Sequence, residues 1–277
     1  MEEKVIIVNK KAGLTPLECI NEIKKERKEW AHLPLTYAGR LDPLATGVLI
    51  ILIGDECQKK DEYLQLPKEY LVTVLFGFAT DTYDLMGLVK ENVASSELLF
   101  KRSSDEGDGS QSQTILNSNS DFASKLQKIL PQFTGRIKQA YPAYSSRTVL
   151  SKPLFQWARE GRLSEITIPT HDVFVESIDL VSEGEISGKD LFTKIKEDIG
   201  KVSGDFRQTE IIATWRDVLK DELENKYKTI TLKISCHSGV YVRSIAEGIG
   251  QALGVPSLAL DIVRTKVGKY EIQKTNN

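Results

Sequence analysis

The stretch best suited to chemistry is Gly39-Arg40-Leu41-Asp42-Pro43-Leu44-Ala45-Thr46-Gly47. An Asp-Pro pair in a loop usually makes a turn and nothing more. Here Gly39 and Gly47 allow unusual backbone angles on both sides, and the loop runs into the continuous apolar segment 48–53, the pattern of a buried strand. A small-residue loop anchored on such a strand is a rigid place to hold one carboxylate, which could act as a base or a nucleophile. Arg243 stands in Cys236-His237-Ser238-Gly239-Val240-Tyr241-Val242-Arg243-Ser244, at the entry to an amphipathic helix. By spacing alone it is either a surface arginine or a functional cation. Tyr70, Tyr241 and Ile262 read equally well as packing residues or as walls of a pocket. The three cysteines, Cys19, Cys57 and Cys236, are far apart and form no CxxC pair, so neither a zinc site nor a disulfide framework is indicated.

The elements that must position these residues alternate in type. Residues 4–8 are apolar and β-branched, as in a strand. Thr15 can cap a helix with Pro16 in its first turn, and that helix carries Ile20, Ile23 and Lys24 toward Trp30. Residues 37–47 read as loop, 48–53 and 70–78 as strands, and 81–87 as a polar turn. Residues 103–112 hold no apolar residue, so a mobile surface insertion is expected near 100–120. A helix at 121–130, a strand at 133–140 and a short helix at 153–159 follow. A further strand lies within 166–180, with Val173, Val175 and Ile178 inward. The charged stretch 186–223 spaces Leu191, Ile195 and Ile199 by four, predicting a helical insertion packed on one side of the core. A strand at 227–236, a helix at 240–253 with Ile245, Ile249, Ala252 and Leu253 on one face, and a strand at 262–272 close the chain. Strands so dispersed among helices imply an α+β class.

Bulk composition sets the context. With 277 residues and 40% apolar content the chain can build a sizeable core. Its net charge of −2 argues mildly against a nucleic-acid ligand, although binding needs only a local basic face. No signal-peptide plan and no apolar run near the ~20 residues of a membrane span are present. With the low, odd cysteine count this predicts a cytoplasmic protein without membrane contact.

The motifs together resemble the TruB family of pseudouridine synthases. The Asp42 loop resembles its catalytic motif, and Lys10-Lys11-Ala12-Gly13-Leu14-Thr15 its opening Lys-Pro-x-Gly-x-Thr. Lys68-Glu69-Tyr70, Gly77 and Thr80-Asp81-Thr82-Tyr83-Asp84 with Gly87 resemble its second block. Gln139-Ala140-Tyr141-Pro142-Ala143-Tyr144-Ser145-Ser146 resembles Gln-x-Pro-Pro-x-Tyr-Ser-Ala. The block from Cys236 to Ser244 resembles Cys-x-x-Gly-Thr-Tyr-Ile-Arg-Ser/Thr, and Ile262-Val263-Arg264-Thr265 with Gly268-Lys269-Tyr270 resembles the closing Leu-Arg-Arg-Thr and Gly-x-Phe. All occur in the family's order and leave out only the two insertions.

This resemblance implies a pseudouridine synthase-like fold: a mixed, mostly antiparallel sheet flanked by helices and loops, with a catalytic cleft across it. It implies one catalytic domain over 1–277, interrupted near 100–120 and 186–223. It further implies isomerisation of uridine 55 in the T loop of tRNA, by a monomer that needs no cofactor, metal or obligate protein partner. Asp42 would be the essential carboxylate. Arg243 would hold it by a bidentate ion pair in its charged form, and Tyr70 would stack on the extruded uracil. Tyr241 and Ile262 would line the base pocket, with Tyr37, Arg40 and Lys10 as further substrate contacts. Lys10, Lys11, Arg40, Lys68, Arg136, Lys138, Arg147, Arg243, Arg264, Lys266 and Lys269 would give a basic face around Asp42, with the acidic insertions away from it.

The chain departs from the pattern in three places. Tyr37 stands where the family has a histidine thought to help extrude the base, and tyrosine cannot be protonated near neutral pH. Arg40 makes Gly-Arg-Leu-Asp, which resembles the motif of ribosomal-RNA pseudouridine synthases and keeps another RNA substrate open. Little sequence follows Tyr270, so the family's C-terminal PUA domain is expected to be absent. The alternatives are a synthase acting on another RNA, a non-catalytic RNA-binding or tRNA-folding protein, and, more weakly, a guide-RNA-dependent subunit.

Overall fold

A computed structural model of the chain describes residues 4–93 and 119–272. The loop expected near 100–120 lies outside them except for its last two residues, which open a helix. The framework is a nine-stranded sheet. In chain order its strands are β1 (Val5–Lys10), β2 (Leu35–Ala38), β3 (Thr46–Ile53), β4 (Lys68–Phe76), β7 (Gly135–Ala140), β10 (Thr170–Ser187), β11 (Lys226–Cys236), β12 (Ser257–Val267) and β13 (Tyr270–Glu271). Two short hairpins stand apart from it: β5 (Phe78–Thr80) with β6 (Val89–Asn92), and β8 (Thr148–Val149) with β9 (Lys152–Pro153). The main path runs β1-β3-β12-β4-β11-β10-β7, with β2 on β3 and β13 on β12. All pairs are antiparallel except β3 with β12, which run parallel where Thr46 meets Val263 and Gly47 meets Arg264. The expected α+β class and mostly antiparallel sheet are therefore present.

Seven α-helices complete the described part: α1 (Pro16–Glu26), α2 (Lys60–Gln65), α3 (Asn119–Ile129), α4 (Leu154–Arg159), α5 (Gly188–Gly200), α6 (Gln208–Leu219) and α7 (Val242–Leu253). The start of α1 follows the sequence closely. The Glu18 amide donates to Thr15 Oγ1 at 3.2 Å and the Thr15 amide donates to Glu18 Oε2 at 2.6 Å, a complete capping box. None of these helices is long and apolar enough to cross a membrane.

Three readings are corrected. Residues 35–38 form β2, which a four-residue length hides until Tyr37 pairs with Ile51. β10 does not stop at 180 but runs to Ser187, paired with β11 from Val175 onward. Its far end is charged on both strands, with Lys228–Glu183 at 2.6 Å and Lys226–Glu185 at 3.5 Å, so it lacks the alternation that marks a strand. On α7, Ile245 and Ile249 face inward as expected, but Ala246 is buried and Ala252 exposed.

The 186–223 segment thus becomes a helix pair carried on the β10–β11 hairpin and folded back on the sheet. Leu191, Ile195 and Ile199 of α5 and Ile211, Trp215 and Leu219 of α6 are fully buried in the same cluster as the strands. The Trp215 ring lies 5.0 Å from Phe78, which lies 4.6 Å from Tyr227. With one shared core, Trp215→Ala should cost about 3–5 kcal/mol and lower the midpoint of a single urea transition. Separate unfolding of the helix pair, with the sheet unchanged, would show instead that the two pack independently.

Candidate active site

The Asp42 loop is held from beneath. Gly39 (φ +87°) and Gly47 (φ +104°) adopt left-handed conformations, and a Cβ on Gly47 would overlap the Arg264 backbone carbonyl. Between them the chain turns, with the Ala45 amide donating to Asp42 O at 3.1 Å. The carbonyls this turn points inward find buried donors. Lys10 Nζ donates to Ala45 O at 2.6 Å, Pro43 O at 2.9 Å and Lys11 O at 3.1 Å, and the Gly13 amide adds a bond to Pro43 O at 3.0 Å. Arg264 Nε donates to Val48 O at 2.8 Å and Nη1 to Arg40 O at 3.0 Å. Lys10 was expected to contact substrate. It is instead 0% exposed and absent from the cleft lining, its ammonium consumed by three carbonyls and its pKa lowered by burial to about 8.

Asp42 and Arg243 meet as expected. Arg243 Nε lies 2.8 Å from Asp42 Oδ2, and the side-chain exposures differ sharply, 5% for the arginine against 43% for the aspartate. The carboxylate therefore sits between a buried cation below and open space above. The pair is not the expected two-pronged fork, because Arg243 Nη1 donates to Thr82 O and Nη2 to Tyr144 O at 3.4 Å. Asp84, not foreseen as a site residue, also approaches Nε at 3.5 Å. Its Oδ1 accepts from Thr82 Oγ1 at 2.6 Å and from the Met86 amide at 2.9 Å. Burial raises the Asp84 pKa against the pull of Arg243. Burial also works against the Arg243 charge, but Asp42 and Asp84 outweigh it and raise its pKa.

Arg243 lies in the first turn of α7, whose N-terminal end is fixed by Gln139 of β7. Gln139 Nε2 donates to Tyr241 O at 3.0 Å, and the Tyr241 amide returns a bond to Gln139 Oε1 at 2.8 Å. The Gln-x-x-x-x-Tyr motif marked this glutamine, but nothing in its spacing revealed the reciprocal clamp.

A cleft of about 750 Å³ opens over the pair, lined by Asp42, Tyr70, Arg243, Tyr37, Arg40, Tyr241 and Ile262. The β4–β12 register sets Tyr70 directly across from Arg264. Burial raises the pKa of both Tyr70 and Tyr241, so both phenols hold their protons at neutral pH. Tyr37 lies beneath the Lys60 ammonium at 5.2 Å. On another wall the Tyr141 ring stacks on His171 at 4.0 Å and meets Tyr241 edge-on at 5.8 Å.

The expected charge polarity is modified twice. Lys10, Lys68, Arg243 and Arg264 are interior, leaving Lys11, Arg40, Arg136, Lys138, Arg147, Lys266 and Lys269 exposed. The helix pair is not remote either, because Asp205, Phe206 and Arg207, between α5 and α6, line the cleft. A Cβ on Gly13 would lie 2.6 Å from Lys201 Cβ, so that connection also abuts the 10–15 motif. No spacing in the sequence announces either contact. Gly47→Ala, which adds a backbone overlap to a left-handed φ, should cost more than the roughly 1–3 kcal/mol of such strain alone. Gly39→Ala, whose Cβ would sit an ordinary 3.5 Å from Arg264 Nη1, should cost less. Urea unfolding of the two variants checks the order, and equal losses would contradict this account of the loop.

Relatives aligned along nearly the whole chain include tRNA pseudouridine synthase B of Lactobacillus gasseri, 27% identical over 270 residues and covering 98% of this chain and 70% of that protein. The Caldicellulosiruptor saccharolyticus protein of the same name is 23% identical, covering 97% and 69%. tRNA pseudouridine synthase 4 of Schizosaccharomyces pombe is 25% identical, covering 100% and 81%. A chain in the crystal structure of a Cbf5-Nop10-Gar1 complex superposes with a TM-score of 0.53 at 17% identity over 97% of this chain, a likeness of fold alone. This chain spans 50% of that one. The model described as TruB family pseudouridylate synthase (N terminal domain) matches residues 33–98 and 89–199, more than half of the sequence. On that match, the chain belongs to the TruB family of pseudouridylate synthases.

Proposed function

We propose that this chain isomerises uridine 55 in the T loop of tRNA to pseudouridine, with Asp42 as its catalytic carboxylate. The observation that carries the reading is the Asp42 carboxylate itself, open to the cleft on one side and ion-paired at 2.8 Å to a buried arginine on the other. The names of the aligned relatives support tRNA as the substrate.

The reaction breaks the bond from C1′ to N1, turns the uracil, and joins C1′ to C5. The C5 hydrogen is released as a proton and N1 gains one, so nothing is oxidised and no atom is lost. Attack on the ribose, attack on the base and removal of a ribose proton all require an ionised carboxylate beside the extruded nucleoside. Arg243 sets its guanidinium 2.8 Å from the Asp42 carboxylate, and Asp84 shares that guanidinium at 3.5 Å. Tyr70 offers an aromatic face to the uracil, and burial raises the pKa of its phenol, so at neutral pH it keeps its proton and can donate a hydrogen bond. Tyr241 and Ile262 complete the walls that exclude water while the base turns. Tyr37 and Arg40, at the rim, are placed to meet the nucleotide as it enters.

Because C5 loses its hydrogen, tritium release from tRNA labelled at C5 of uridine reports the reaction directly. The wild type should release tritium from position 55 alone, and cytidine at that position should abolish release. Asp42→Asn keeps the side-chain shape and should bind tRNA while releasing none. Activity in the asparagine variant would overturn the assignment of Asp42. A wild type that binds and refolds tRNA without releasing tritium would favour the non-catalytic reading.

A further inference from the structure

We propose that Arg207 is a positioning residue for the Asp42–Arg243 pair, acting through Asp81 and Tyr144. The proposal deepens the reading above, because it takes Asp42 and Arg243 as the reacting pair. Arg207 lies past the stretch 33–199 that matches the family model, at the end of the connection between α5 and α6 that walls the cleft.

That connection is built to a fixed shape. Gln208 Nε2 donates to Gly204 O at 2.7 Å and to Val202 O at 3.1 Å, while its Oε1 accepts from the Phe206 amide at 2.9 Å. Arg207 itself holds a left-handed backbone, φ +63°, which a residue with a side chain adopts only under constraint. From there its guanidinium reaches Asp81 in a two-pronged pair, Nη1 to Oδ2 at 2.7 Å and Nη2 to Oδ1 at 3.2 Å. The side chains are 16% and 9% exposed, so this is an enclosed ion pair rather than a solvated surface contact. Asp81 Oδ1 also accepts from the Leu88 amide at 2.9 Å, which pins the turn that carries it. The same guanidinium lies 4.5 Å from the centre of the Tyr144 ring.

The two segments that Arg207 fastens are the two that hold Arg243. Thr82, next to Asp81, accepts from Arg243 Nη1, and Tyr144 accepts from Nη2. With both terminal nitrogens placed by these carbonyls, Nε is aimed at Asp42. Freeing Arg207 loosens both supports at once, and an arginine turned slightly away leaves the carboxylate misplaced. A side chain that only stabilised the helix pair would tie to one element, not to both segments whose carbonyls accept from Arg243.

The test uses the full chain and two altered proteins. Arg207→Gln combined with Asp81→Asn removes both charges together, so no buried carboxylate is stranded. Arg207→Lys keeps a cation for Asp81 but cannot lie flat on Tyr144. In tritium release the double variant should lose roughly ten- to a hundredfold in kcat, the scale of a displaced catalytic group, with KM unchanged, and the lysine variant should fall between it and the wild type. The Nε–H resonance of Arg243, assigned by its disappearance in Arg243→Lys, should shift or broaden in both. Wild-type kcat in a folded double variant, or a loss confined to KM, would overturn the proposal. An unmoved Arg243 resonance would overturn it whether or not the wild type isomerises tRNA, which separates its failure from failure of the proposed activity.

Discussion

A loop that turns its carboxylate toward solvent must turn carbonyls toward the interior, where no water can satisfy them. In this protein cations take that role. Lys10 binds the carbonyls of Lys11, Pro43 and Ala45, and Arg264 those of Arg40 and Val48. Arg243 binds the Asp42 side chain from beneath. Each cation would be costly to bury alone, and each is tolerated because nearly every donor has a partner. The arrangement is reciprocal: without the cations the loop would open, and without the loop the cations would be stranded.

The three cations come from three elements remote in sequence. Lys10 ends edge strand β1, Arg264 lies on central strand β12, and Arg243 sits in the first turn of α7. The parallel contact of β3 with β12 brings Gly47 against Arg264, and the antiparallel contact of β12 with β4 brings Tyr70 to the same place. The α5–α6 pair is part of the same body, since its apolar faces share the sheet's core and its connection walls the cleft. Site geometry is therefore a consequence of sheet register. A slip of one residue between β4 and β12 would turn Tyr70 to the opposite face.

Much of this was legible in the residues. Periodicity located α5 through Leu191, Ile195 and Ile199, capping chemistry located α1 through Thr15 and Pro16, and paired glycines marked the Asp42 loop. The motifs also named most of the side chains that line the cleft. What could not be read were roles set by partners distant in the chain. A lysine in a loop motif reads as an exposed cation, and only the fold places Lys10 under Pro43 and Ala45. Asp84 read as part of a turn until Arg243 approached it. Arg207 lay in a charged stretch expected to pack away from the cleft, and its partner Asp81 is more than a hundred residues earlier. β2 and the end of β10 were missed because short or mostly polar strands gain their definition from the strand beside them.

Amide hydrogen exchange across the Asp42 loop tests the central claim most directly. The Gly13 and Ala45 amides, bonded to Pro43 O and Asp42 O, should exchange as slowly as the sheet core in the native protein. In Lys10→Met, which keeps the bulk and removes the donor, both should exchange much faster while β4 and β11 stay protected. Unchanged protection of those two amides would show that the loop holds its shape without the buried lysine, and would contradict the account.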